Sequence, residues 1–173
     1  MKMNQFFVFL IVLVFGYSGV QACTTASTAR VQKIFDESIK LNEAFKKSAD
    51  GSDDAEYRRL RKQVELYEES TAIPCLKRTV ILLRQKSDDS LVHALFAHAL
   101  SHENSADETE SEVLATIFVR HNDAFMLAWR RSSVETNKAV FARTESGWEL
   151  IRGKYHTIKQ RQVNSRLKQL VSR

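Results

Sequence analysis

Apolar residues along this chain recur mainly at three- and four-residue steps, the spacing of amphipathic helices. Val31, Ile34, Phe35, Ile39, Leu41 and Phe45 predict a first helix that ends before Asp50-Gly51-Ser52. Asp53 or Asp54 is placed to cap the next, with Tyr57, Leu60, Val64 and Tyr67 on one face. A break near residues 70–73 leads to Pro74 in the first turn of a third helix, where a missing N–H removes no helical bond. That helix carries Leu76, Val80, Leu82 and Leu83. Residues 87–90 cap a fourth, with Leu91, Val92, Leu95, Phe96, Ala99 and Leu100 inward. The acids of residues 107–112 suit the positive end of a fifth helix, whose apolar face is Val113, Leu114, Ile117 and Phe118. Asn122 and Asp123 are placed to cap a short helix holding Phe125, Met126 and Trp129. Ser132-Ser133-Val134-Glu135 reads as a capping box ahead of Val140 and Phe141. Trp148, Leu150 and Ile151 follow, and a last helix runs from about Tyr155 to the end.

No stretch sustains strict alternation, so strands are not expected. One proline and five glycines in 173 residues agree with helix. Short helices and short loops make antiparallel hairpins, forming an all-α bundle or a short α-solenoid. The later hairpins are superficially HEAT-like, but no repeat consensus can be written across them.

Residues 1–22 have a different pattern. Lys2 precedes an apolar run over residues 6–15, and small or polar residues lead to Val20-Gln21-Ala22. That order is the one a secretory signal peptide has. A membrane-spanning helix needs about 20 apolar residues, roughly twice this run. The expected working protein is therefore exported, periplasmic or secreted, and spans residues 23–173 as one all-helical domain. A lipoprotein anchored through Cys23 is the alternative, because Val20-Gln21-Ala22-Cys23 resembles a lipoprotein box except at Gln21.

Cys23 and Cys75 are the only two cysteines. In an oxidising compartment they admit a single intramolecular disulfide. Lipidation of Cys23 would exclude that bridge and leave Cys75 as a small buried residue.

Charge adds an asymmetry. The chain holds 26 Lys and Arg against 21 Asp and Glu. Residues 150–173 contribute Arg152, Lys154, Lys159, Arg161, Arg166, Lys168 and Arg173 with no acid, which leaves the rest net acidic. Glu103, Asp107, Glu108, Glu110 and Glu112 form an acidic stretch. A basic helix from about residue 154 to 173 is either a solvated face or a docking element. Its partner would be a protein, an acidic one by charge, or a membrane surface or anionic wall polymer. Nucleic acid is not expected for an exported protein.

Candidate chemistry is sparse. His98 and His102 are four apart on one helix face, a spacing a zinc ion bridges. His121 is the residue expected to face them from the next helix, and His93 falls off that face. The sequence lacks H-E-x-x-H, G-x-S-x-G and glycine-rich phosphate loops. Asp53-Asp54 and Asp88-Asp89 read as helix starts, and Trp129 and Trp148 as core anchors. The expectation is an exported helical protein-binding module of inhibitor, adaptor or immunity type, in a bacterial periplasm. It needs no enzymatic activity and no cofactor. The alternatives are a metal-binding or metal-dependent protein using the His98–His102 pair, or an envelope-associated structural protein.

Overall fold

A computed structural model describes residues 23, 25–49, 54–102 and 108–171. The signal-peptide expectation lies outside them, as do Asp53, Glu103 and Asp107. Eight α-helices make up the described residues: α1 (Thr28–Ala49), α2 (Asp54–Tyr67), α3 (Ile73–Gln85), α4 (Asp89–Ser101), α5 (Glu108–Arg120), α6 (Asn122–Arg131), α7 (Val134–Ile151) and α8 (Thr157–Val171). They pack as an all-helical bundle, with no strand among the described residues. No helix there is long and apolar enough to cross a membrane.

The stop and start signals explain most boundaries. Asp88 caps α4 by accepting from the Ser90 and Leu91 N–H groups. Ser133 caps α7 by accepting from the Thr136 N–H at 3.2 Å, so the reciprocal Glu135 of the expected box is not at the position a box requires. Asn122 is not a cap. His121 is the N-cap residue of α6 and makes no side-chain cap bond, while the Asn122 amide donates back to the Phe118 carbonyl.

The expected break before Pro74 does not occur. α2 runs into α3 through a π-turn over Glu68–Ala72, and the residues on either side, Tyr67 and Ile73, are both helical. The Ile73 N–H reaches the Glu68 carbonyl, five residues back. Proline at position 74 removes one donor and crowds the preceding turn. One wider turn absorbs the conflict without ending the helix.

α1 packs on α2 and α4, α3 on α5, and α4 on α6 and α7, while α5 and α7 make the most extensive contact. Gly147 makes that last contact possible. It lies inside α7, with its backbone against the Ser111 carbonyl of α5, and a Cβ there would overlap that carbonyl. It therefore sets helix separation and does not punctuate the chain. The core holds Phe35, Phe96, Phe118, Phe125 and Trp148 fully buried. α8 closes the bundle through Val163, Leu167 and Leu170, and Asn164 accepts from the Trp148 indole at 2.6 Å.

Candidate functional site

Buried polar residues interrupt the apolar faces of several helices at one place. On α1 the inward stripe runs Val31, Ile34, Phe35 and then Ser38 and Asn42. On α4 it ends in His98, with His102 at the helix C-cap. α5 contributes Glu110, α7 contributes Arg143, and the π-turn contributes the half-buried Glu68. The bundle brings five of these, Ser38, Glu68, His98, His102 and Glu110, with Arg143 behind them, into one connected network.

The two imidazoles stack with centroids 4.3 Å apart. His98 Nδ1 is 2.6 Å from Glu110 Oε1. His102 Nδ1 is 3.0 Å from the His98 carbonyl. A carboxylate and a carbonyl only accept, so both Nδ1 atoms carry hydrogen and donate. Each ring therefore turns its Nε2 inward, toward Glu68. Glu68 Oε2 is 3.5 Å from His98 Nε2, and Oε1 is 3.3 Å from His102 Nε2. Ser38 Oγ lies 3.1 Å from His98 Nε2 and 3.4 Å from His102 Nε2. It also donates to Glu68 Oε1. Ligand atoms of Glu68, His98 and His102 all fall within 4.8 Å of one another.

Charge is compensated behind the rings. Glu110, 1% exposed, forms an ion pair with Arg143, which also donates to the His102 carbonyl. Burial works against a charged His98, but the Glu110 and Glu68 carboxylates outweigh it and raise its pKa to about 9. Burial likewise opposes charge on Glu68, yet its polar contacts with His102, His98 and Ser38 and the charge on His98 hold it well below the usual carboxylate range. Without a metal, the centre is thus a protonated His98 bridging two carboxylates.

The cluster borders a cavity of about 590 Å³. Glu68, His98 and His102 form part of its wall, and Phe45, Val64 and Ile73 supply apolar surface. Ser38 is absent from the wall and contacts the cluster from the α1 side. The disulfide between Cys23 and Cys75 ties the start of the described chain to α3, just beyond the π-turn that presents Glu68.

The arrangement supports two kinds of chemistry. Ser38, His98 and Glu110 stand in the order hydroxyl, imidazole, carboxylate, as in a nucleophile–base–orienter relay. Ser38 lies within α1, however, where neighbouring backbone N–H groups are used by the helix and none is left for an oxyanion. Its hydroxyl is also engaged by Glu68. Metal ligation fits better. Two Nε2 atoms face one carboxylate, and both rings are held from behind by acceptors, the usual support of a metal-bound histidine.

The His98–His102 pair is therefore together as the spacing anticipates. His121 is not the third member. It sits at the opposite end of α5 from Glu110, near Arg84 and Arg120, and burial with those charges lowers its pKa. His93 is exposed. Glu68, Glu110, Ser38 and Arg143 are the members that the sequence reading missed. A polar residue at a core position of a helical stripe was the available signal for Ser38. Of the basic positions, Arg152, Lys154, Arg161, Arg166 and Lys168 are exposed and Lys159 is half-buried. They share α8 and the turn before it and lie outside this cluster. Comparison with protein-family models, with curated proteins and with solved structures finds no match to this chain.

Proposed function

We propose that this is an exported helical metal-binding protein that holds one divalent transition ion, zinc by preference, through Glu68, His98 and His102. The observation that carries the reading is the convergence of two Nδ1-anchored imidazoles on one carboxylate. The donor set supports zinc. Two imidazoles and one carboxylate are ligands zinc commonly takes, and the two Glu68 oxygens lie 3.5 Å from His98 Nε2 and 3.3 Å from His102 Nε2, within reach of one shared ion. Among the described residues, two histidines and a glutamate leave a fourth position, the pattern of zinc sites that react or exchange ligands. Ser38 stands on one side of that position and the cavity on the other. The Cys23–Cys75 bridge supports an oxidising compartment.

The test is metal analysis of untagged protein incubated with zinc and desalted. One equivalent is expected, and it should fall to background in Glu68→Gln and His98→Gln, with circular dichroism confirming that both variants fold. Absence of zinc from the folded parent protein would remove the reading.

A second reading rests on a separate observation. α8 turns Val163, Leu167 and Leu170 inward and leaves Arg161, Arg166 and Lys168 exposed. This basic face supports docking to an acidic protein, and it retains the protein-binding role expected from charge. Pull-down of envelope proteins by the parent but not by Arg161→Glu/Arg166→Glu supports it. Equal capture by both removes it.

A further inference from the structure

We infer that the ion's open position accepts a small monoanionic ligand with an uncharged apolar tail, which lies in the adjoining cavity. This inference rests on the metal reading above. Three observations lead to it. The cavity, at about 590 Å³, falls within the range of small-molecule sites and shares Glu68, His98 and His102 with the metal cluster. Much of its remaining wall is apolar, through Phe45, Val64 and Ile73. The third observation is charge. Ligation requires both imidazoles to be neutral. Counted over the described residues of the cluster, a divalent ion with Glu68, Glu110 and Arg143 then leaves one net positive charge in a centre where His98 and Glu110 are almost fully buried. An anionic head group neutralises that charge at the ion. A second anionic group is disfavoured, because Glu65, Glu69 and Glu108 border the cavity and outnumber its lysine, Lys46, which donates to the Ser101 carbonyl. A neutral aliphatic or aromatic tail has the apolar wall to cover.

The described residues also differ from a closed structural site. A structural zinc takes four protein donors. Among the described residues, the fourth nearby donor is the Ser38 hydroxyl, a weak ligand that already donates to Glu68. An incoming anion competes with it on favourable terms.

The test titrates zinc-loaded protein with straight-chain hydroxamates of two, four and six carbons, by calorimetry. Each buried methylene should tighten binding about fourfold. Val64→Trp, which fills the cavity from α2 and replaces no metal ligand, should keep its equivalent of zinc and lose the chain-length dependence. If zinc is bound at one equivalent but affinity is flat with chain length, the inference fails and the metal reading stands. If hexylamine binds more tightly than the six-carbon hydroxamate, the anionic head group is wrong. If the folded parent protein binds no zinc, the metal reading itself fails, and this inference with it.

Discussion

Glu110 is the residue whose loss should be felt most widely. It is 1% exposed and serves two partners, the His98 Nδ1 at 2.6 Å and the Arg143 guanidinium. Glu110→Gln keeps the shape and an acceptor for His98 but removes the charge. Arg143, 7% exposed, would then stay buried beside a neutral amide. Breaking one side of a buried ion pair costs about 3–5 kcal/mol, a large part of the 5–15 kcal/mol that holds a typical domain together. For a chain of this size that is a fall of about 10 °C in melting temperature. The same change weakens the support behind His98, and such losses lower metal affinity by about 10- to 100-fold. Two assays follow it: urea unfolding without metal, and zinc affinity by competition with a chelator. Arg143→Met and the Glu110→Gln/Arg143→Met double variant complete the cycle. The double variant should recover much of the stability, because the Arg143 charge that faced Glu110 is gone, but not the zinc affinity. The reasoning is refuted if Glu110→Gln costs under about 1 kcal/mol, or if the two substitutions are additive.

The remaining expectations concern pH, packing and the disulfide. His98 rises from 6.5 unfolded to about 9 folded. In metal-free protein its contribution, about 3 kcal/mol, is therefore complete below pH 6.5 and is lost as pH rises through 9. Urea unfolding at pH 6 and pH 10 should show that loss in the parent and not in His98→Gln, and equal slopes in both would count against it. Gly147→Ala should destabilise by about 3 kcal/mol, since the new methyl meets the Ser111 backbone carbonyl, which cannot move aside as a side chain can; an unchanged thermal midpoint would contradict this. Cys23→Ser/Cys75→Ser opens a link between positions 52 apart and should cost about 4 kcal/mol by the chain-entropy relation. It should leave one equivalent of zinc bound at a temperature where the variant is folded, because neither sulfur is a ligand.

Most of the helices were legible because they bury a stripe at helical spacing, although α2 buries only Leu60 of its expected face. Leu91, Val92, Leu95, Phe96 and Ala99 are all buried as their spacing requires. The join at Pro74 was misread because proline argues locally for a helix start, whereas packing on α1 and α5 holds the chain helical and a π-turn resolves the clash. The role of Gly147 is hidden in the sequence for a related reason. A glycine signals a turn when only the local backbone is considered, and here its missing side chain serves an approach between two helices distant in sequence. The site was legible only as a pair. His98 and His102 share a helix, so periodicity brings them together. Glu68 comes from 30 residues earlier than His98, counted along the chain, and one exposed-looking glutamate among several carries no local mark. Glu110 likewise reads as a favourable acid near a helix start until α7 places Arg143 against it. Ser38 and Asn42 did carry a local mark, although the sequence reading passes over it. They fall on the same stripe as Val31, Ile34 and Phe35, and polar side chains on a core stripe are retained where they have partners.

The most direct test of the central claim is anomalous diffraction at the zinc edge from crystals of the zinc-loaded protein. The account requires one strong peak about 2.1 Å from His98 Nε2, His102 Nε2 and a Glu68 oxygen. A structure with no peak at that place, and Ser38, Glu68 and His98 still hydrogen-bonded to one another, would contradict it.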